Sequence, residues 1–265
     1  MPYLAGVSAF ARRRPRAEPA TGASSGARCY LAAMPQNLSF DIELADVLEL
    51  APGEDLNSKG PFKIACAAAF DGTNVTHWYG RDAGGKPAPH MTASDVRAVL
   101  VALRAAQKTG TRLLAWNGLA FDLRWMGAAA EDMALAREIA LELYDPLFQL
   151  FVERGFPVAL EKVAQGFGLP IRKLMSGADA PKEWAAGNHS AVLEYVGQDC
   201  RITDLVCVTI ESRRALTWIT AKGRPSSHAM PKLVAVRELL TRPEPDTSWM
   251  DAPIPRSKFA GWLAD

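Results

Sequence analysis

The hydrophobic pattern of the chain becomes regular at Leu38. Apolar and polar residues alternate from Leu38 to Glu43, which is the period of a strand with one buried face. Residues 48–61 are rich in Gly, Pro, Asp, Asn and Ser and predict a loop. The apolar run over 62–70 predicts a buried strand, and Asp71-Gly72 predicts a tight turn that pairs it with a third strand over 74–79.

Helical periods dominate the rest of the chain. Thr92 and Asp95 match a capping box at the start of a helix, and Gly110 is well placed to end it. A fourth strand is predicted over 112–116. Further helical segments are predicted up to Gly155 and over 159–168, 188–220 and 233–240. Three strands, a helix, a fourth strand and more helices together predict an α/β fold with a mixed sheet.

The first 33 residues have a different composition. They contain Arg12, Arg13, Arg14 and Arg16, a single acidic residue, and no sustained period. An Arg-rich, acid-poor start is typical of organellar transit peptides, whereas Met34, directly before the first patterned segment, favours a later start of translation. On either interpretation we expect a disordered tail over 1–33, a domain over 34–221 and an extension over 222–265 that packs on the domain.

The composition is that of an ordinary globular protein, with 49% hydrophobic and 22% charged residues in a chain of 265. Its four cysteines carry no C-x-x-C pair, which favours reduced thiols in a cytoplasmic protein over a disulfide or a zinc site. No apolar run reaches the roughly 18 residues of a membrane-spanning helix. Because the net charge is only +1, any attraction for nucleic acid has to be local or supplied by bound cations.

The first candidate site residues are Asp41 and Glu43. They lie two apart on the first predicted strand, so their side chains share a face. A solvated strand face would have the same spacing. Here the flanking Leu38, Phe40 and Ile42 predict a buried central strand, and charges on a buried strand need a partner such as a metal ion.

Further acidic candidates lie later in the chain. Asp122 falls where the fourth strand passes into a helix, which is a frequent position for a site in α/β proteins. Tyr195 and Asp199 are four apart on the long helix and face the same side. Each has an ordinary alternative, because Asp favours helix starts and a Tyr and an Asp often occur at this spacing by chance.

The four carboxylates become informative as a set. They come from a strand, a strand-to-helix junction and a late helix, and they can converge only around a shared cation. Ligands that are all oxygen select hard cations such as Mg²⁺ or Mn²⁺ rather than zinc. Two such ions can stabilise both the attacking and the leaving oxygen of a phosphoryl displacement.

Three segments of the chain resemble the exonuclease motifs of the DEDD (DnaQ-like) superfamily. They are Phe40-Asp41-Ile42-Glu43, Asn117-Gly118-Leu119-Ala120-Phe121-Asp122 and Tyr195-Val196-Gly197-Gln198-Asp199. Their order is that of the tyrosine-bearing branch, since a histidine-bearing member would have its His where this chain has Glu194. The resemblance covers roughly residues 37–210 and is greatest to stand-alone predicted exonucleases related to the proofreading domains of family-B DNA polymerases.

This resemblance implies a fold, an activity and a set of roles. The fold would be RNase H-like, with a mixed five-stranded sheet flanked by helices, and the activity would be 3′–5′ exonuclease. The residues that would ligate two Mg²⁺ or Mn²⁺ ions are Asp41, Glu43, Asp122 and Asp199. Tyr195 would position the attacking water, and Asn117 and Phe121 would hold the 3′-terminal nucleotide. The chain departs from the family pattern at Leu44-Ala45-Asp46, which replaces a short turn containing Thr and Gly. Which residues would bind the 3′-hydroxyl is therefore left undecided.

The sequence leaves the substrate undecided. We expect single-stranded DNA, but the same motifs serve RNA-trimming enzymes of the RNase D kind, and discrimination depends on contacts near the ribose. A non-catalytic nucleic-acid-binding module with the same fold is a second interpretation, which the complete set of four acids and Tyr195 argues against. A third is a nuclease subunit that acts within a larger repair or replication assembly.

Overall fold

A four-stranded mixed sheet forms the centre of the protein. The computed structural model describes residues 36–51, 53–170 and 174–264, and the tail expected over 1–33 lies outside them. The strands follow the order β3-β2-β1-β4, with β1 antiparallel to β2 and parallel to β4. Their bounds are Asn37–Leu44 for β1, Ile64–Phe70 for β2, Val75–Tyr79 for β3 and Arg112–Leu114 for β4.

Strand β1 is covered on both faces. Phe40, Ile42 and Leu44 point into the larger core, while the alternate residues point toward the opposite face of the sheet. The neighbouring β2 is made largely of buried alanines, which let helices approach the sheet closely. The expected buried central strand is therefore confirmed.

Helices cover the sheet and continue beyond it. Both hydrogen bonds of the expected capping box at Thr92 and Asp95 are present at the start of the first helix. Gly155 and Gly168 end two later helices in the left-handed conformation that glycine adopts without strain. The bounds are α1 (Ala93–Lys108), α2 (Asp122–Ala129), α3 (Met133–Leu141), α4 (Pro146–Arg154), α5 (Leu160–Phe167), α6 (Ala180–Ala185), α7 (His189–Arg213), α8 (Val236–Leu239) and α9 (Ser257–Ala260).

The long helix α7 ends earlier than expected. Arg214 takes a positive φ of 58° and stops it, and Ala215–Ile219 form a strand, β5, that pairs with β6 (Pro225–Ala229). The prediction of helix up to residue 220 was therefore wrong. Leu216 and Trp218 are buried while their neighbours are not, and this period of two fits a strand that packs on a helix surface.

The mixed α/β class is confirmed, but the expected five-stranded sheet is not found in the described residues. The sheet has four strands, and β5 and β6 form a separate two-stranded sheet. Beside β4, where another strand would pair, Tyr144 makes isolated bridges to Leu114 and Ala235. Asp145 and Pro146 begin α4 immediately afterwards, so the chain leaves the sheet before a strand can form.

The C-terminal residues pack against the elements described above. Val234 and Val236 belong to the larger core, and the indole N–H of Trp262 donates to the carbonyl oxygen of Leu119 at 2.9 Å. The rings of Phe259 and Phe151 stack with centroids 4.2 Å apart. None of the helices within the described ranges is long and apolar enough to cross a membrane.

Candidate metal centre and active-site groove

Three carboxylates converge between the sheet and helix α7. Asp41 and Glu43 of β1 and Asp199 of α7 each place a carboxylate oxygen within 4.8 Å of the others. Glu43 and Asp199 are 7% and 4% exposed, and Asp41 is half-buried. A cluster of this kind could hold a metal ion, because ionised carboxylates this close repel one another strongly unless a cation or a proton lies between them.

The register between β1 and α7 explains why these residues meet. The hydroxyl of Ser39 donates to the carbonyl oxygen of Cys200 at 2.8 Å, which ties α7 to the same face of β1 that carries Asp41 and Glu43. The thiol of Cys200 also contacts the carbonyl oxygen of Ala68 at 3.4 Å on the neighbouring strand. Asp199 directly precedes Cys200, so these contacts bring its carboxylate over the β1 acids.

Asp122 lies beside the cluster at the first residue of α2. Its Oδ1 accepts a hydrogen bond from the backbone N–H of Ile42 at 3.1 Å, and its side chain is hydrogen-bonded to that of Asp41. Burial raises the pKa of Asp122 to about 7, and the hydrogen bonds to Asp41 and to backbone N–H groups oppose that rise only in part. Without a cation nearby, the buried Asp122 therefore holds a proton more readily than an ordinary aspartate does.

Tyr195 lies one turn before Asp199 on the same helix and is 1% exposed. Its hydroxyl points toward the segment around Gly177, since a Cβ built on that glycine would lie 3.9 Å from the phenolic oxygen. The phenol is thus held in place by packing, and Tyr195 lines the same groove as the acidic residues.

An open groove of about 750 Å³ contains the whole predicted set. Its acidic part is formed by Asp41, Glu43, Asp122 and Asp199, with Tyr195 alongside. Asn117 and Phe121 also line it, so the structure brings all seven predicted site residues into one groove. The remaining walls are largely apolar and come from separate segments, among them Leu44, Leu56, Trp116, Leu147, Leu160 and Met175.

Asp145 is a further residue beside the site, and its sequence motif alone predicts no role there. Its carboxylate is 1% exposed and accepts backbone hydrogen bonds from Asn117 and Leu119 at 3.2 and 3.1 Å, and from Leu147 and Phe148 at the start of α4. Burial raises the pKa of Asp145 to about 6 despite these donors. An Asp before a Pro and an apolar run is a helix-start pattern, and that was the only local signal available.

The same carboxylate supports an unusual backbone conformation. Asn117 has a φ of 71°, in the left-handed region that costs most non-glycine residues energy. The bond from its N–H to Asp145 offsets part of that cost, and Asn117 lines the groove. The junction between β4 and α2 is thus fixed from outside the three motifs.

The nearby thiols lie outside the group of ligand atoms that could hold a metal ion. Cys66 and Cys200 are fully buried, and burial, reinforced by the adjacent carboxylates, raises the pKa of both well above the usual range. Both thiols are therefore neutral, and the available donors are carboxylate oxygens, which fit a hard cation. In the part of the chain that the structure describes, Cys66, Cys200 and Cys207 form no disulfide.

Comparison with known proteins adds no family assignment. No protein-family model and no curated protein matches the chain. The resemblance to the DEDD superfamily therefore stays an expectation from the three sequence motifs.

Proposed function

We propose that this chain is a 3′–5′ exonuclease that hydrolyses phosphodiester bonds from the 3′ end of nucleic acid, with single-stranded DNA as the preferred substrate. The observation that carries the proposal is the meeting of Asp41, Glu43 and Asp199 with their oxygens within 4.8 Å of one another. These residues come from two of the three motifs that resemble the tyrosine-bearing branch of the DEDD superfamily.

The donor set fits two Mg²⁺ or Mn²⁺ ions. Asp41, Glu43 and Asp199 would hold them, and Asp122, whose pKa is raised by burial, would join in its ionised form. Divalent ions at such a site supply positive charge to the phosphate and lower the pKa of a bound water. The positive charge of the metal ions would also compensate for the low net charge of the protein, which is only +1 and gives no general attraction for phosphate.

The protein side chains have separate tasks in this reaction. The carboxylates of the open groove bind the metal ions and orient them toward the reacting bond. Tyr195, a rigidly packed phenol in the same groove, orients the attacking water by a hydrogen bond. Asn117 and Phe121 contact the 3′-terminal nucleotide, the amide through hydrogen bonds and the ring by stacking.

The test is a degradation assay with purified protein. Single-stranded DNA and RNA labelled at the 5′ end are incubated with Mg²⁺, with Mn²⁺ or with chelator. We expect a ladder of products shortened from the 3′ end that requires metal and is lost in Asp41→Ala. Asp251→Ala, which removes an exposed aspartate outside the groove, should retain wild-type activity.

Each outcome of this assay has a definite meaning. Faster shortening of DNA supports the proposed substrate, and faster shortening of RNA replaces it with an exoribonuclease. Metal-independent binding of either polymer without any shortening would identify a non-catalytic module. No degradation under any metal condition would end the enzymatic proposal.

A further inference from the structure

One continuous segment of the chain concentrates positive charge. Residues 212–237 contain six of the 30 Lys and Arg residues of the protein and none of its 29 Asp and Glu residues. A stretch without acids is informative in a protein whose net charge is +1. We call its central part, residues 213–232 with Arg213, Arg214, Lys222, Arg224 and Lys232, the basic hairpin.

The basic hairpin is an ordered element. Its strands β5 and β6 pair from Ala215–Ala229 to Ile219–Pro225, and the backbone N–H of Thr220 donates to the carbonyl oxygen of Arg224 at 2.8 Å across the turn. Gly223 occupies the turn with a φ of 72°. Lys222 and Arg224 are therefore held in solvent by a defined turn.

The charge of the basic hairpin is not neutralised locally. Within the described ranges, the exposed side chains of Arg214, Lys222, Arg224 and Lys232 form no ion pair with an acidic residue. Arg237, just beyond the hairpin, differs because it is paired with Glu142. The guanidinium of Arg213 lies 5.2 Å from the ring centroid of Phe167.

The basic hairpin packs directly on a helix that lines the groove. A Cβ built on Gly166 of α5 would lie 2.5 Å from Cα of Trp218, so strand and helix are in backbone contact. Leu216 and Trp218 share a core with residues of α5. At its other end, α5 contributes Leu160 and Glu161 to the groove wall. A helix of 8 residues is about 12 Å long, so the hairpin and the groove are neighbouring surfaces.

We propose that the basic hairpin binds the phosphate backbone of the nucleic-acid strand whose 3′ end enters the groove. This inference rests on the proposed exonuclease function. The groove itself is acidic, so it offers no charge attraction to the rest of a polynucleotide, and a neutral protein needs a local basic surface for that purpose. Unpaired Lys and Arg side chains on a polar hairpin bind phosphates without regard to base sequence.

The test separates binding from cleavage. Anisotropy of a fluorescent 20-mer of deoxythymidine is measured with full-length protein in chelator, over a range of KCl concentrations. In the double variant Lys222→Glu, Arg224→Glu we expect Kd to rise about tenfold at low salt. The slope of log Kd against log salt should fall by about 0.7 for each phosphate that the variant no longer binds. The matched control, Lys86→Glu with Lys108→Glu, reverses two exposed charges outside the groove and should bind like wild type.

A substrate with a single nucleotide tests whether the double variant acts through the hairpin or through the groove. Hydrolysis of a p-nitrophenyl ester of thymidine 5′-monophosphate, which is too short to reach the hairpin, should be unchanged in the double variant, while KM for the 20-mer rises. Unchanged melting temperatures would show that the variants are folded.

Failure of the hairpin proposal can be distinguished from failure of the proposed exonuclease function. Wild-type Kd and salt slope in the double variant, or an equal rise of Kd in the control, would overturn the hairpin proposal even if the protein cleaves DNA. Hairpin-dependent binding without cleavage would instead overturn the exonuclease function. Salt-sensitive binding to phosphatidylserine vesicles, with none to the 20-mer, would replace the nucleic-acid strand by a membrane and overturn the proposal.

Discussion

Glu43 offers the sharpest test of the electrostatics of the carboxylate cluster. The change is Glu43→Gln, which keeps the shape of the side chain and removes its charge. In chelator, we expect this variant to be more stable than wild type, because the wild-type protein has to hold three close carboxylates together without a cation. With Mn²⁺ or Mg²⁺ present, the order should reverse, since the variant lacks one of the ligands.

The geometry sets the size of the effect. At 4.8 Å and an effective dielectric constant near 20, one pair of ionised carboxylates repels by about 3.5 kcal/mol. Glu43→Gln removes two of the three pairwise repulsions. The wild-type protein can avoid part of this cost by taking up a proton, which for an ordinary Glu at pH 7 costs about 4 kcal/mol. The gain in free energy of unfolding should therefore be positive and at most about 4 kcal/mol.

The assay is urea unfolding at pH 7 in chelator and with metal ion. The wild-type protein should gain about 2.7 kcal/mol when the free ion is at 100 times its Kd, and Glu43→Gln should gain much less. The control is Glu194→Gln, which makes the same chemical change at an exposed position of α7 outside the groove. It should leave both the stability in chelator and the response to metal as in wild type.

Two results would refute this reasoning. If Glu43→Gln were less stable than wild type in chelator, the close carboxylates would not be the main electrostatic cost of the metal-free site. If the variant kept the full metal response, Glu43 would not be a ligand.

Two further substitutions have defined outcomes. Tyr195→Phe should slow cleavage on the order of 100-fold and leave metal-dependent stabilisation intact. The control is Tyr79→Phe, which removes a hydroxyl that accepts from Arg81 outside the groove and should leave cleavage unchanged. Equal activity of the two variants would contradict the role of Tyr195. The pKa of Asp145 is raised from 3.8 to about 6, so the folded protein holds this proton more tightly than the unfolded chain. The stability it contributes is therefore present at low pH and is lost as pH rises through about 6. Between pH 4 and pH 7, the free energy of unfolding should fall by about 2.4 kcal/mol more in wild type than in Asp145→Asn. Parallel pH profiles would contradict this.

Much of the site could be predicted because its residues are neighbours in regular structure. In a strand, positions two apart share a face, which brings together the carboxylates of Asp41 and Glu43. In a helix, positions four apart share a face, which aligns Tyr195 with Asp199. The apolar residues around Asp41 and Glu43 also indicated correctly that the strand is buried.

The second sheet could not be predicted in the same way. Residues 215–219 contain Leu, Trp and Ile beside a long helix and fit a continuation of it. Their strand conformation depends on Arg214, which adopts a positive φ, and on the close approach of β5 to Gly166. Neither feature can be read from the local sequence, so tertiary packing outweighs the local preference here.

Within the described residues, the absence of a fifth strand beside β4 and the role of Asp145 have one physical cause. A strand beside β4 would have to continue past Tyr144, but Asp145 uses its carboxylate to accept the first N–H groups of α4. The same carboxylate accepts from Asn117 through Oδ1 and from Leu119 through Oδ2, so the helix start and the β4–α2 junction are joined through one buried side chain. Because α4 begins at Asp145, no strand continues there beside β4. The bonds to the β4–α2 junction fix the loop that carries Asn117 to the groove. The geometry of the second motif is thus set by a residue that no motif contains, and its effect on the site follows only from hydrogen bonds between residues 26 and 28 positions apart in sequence.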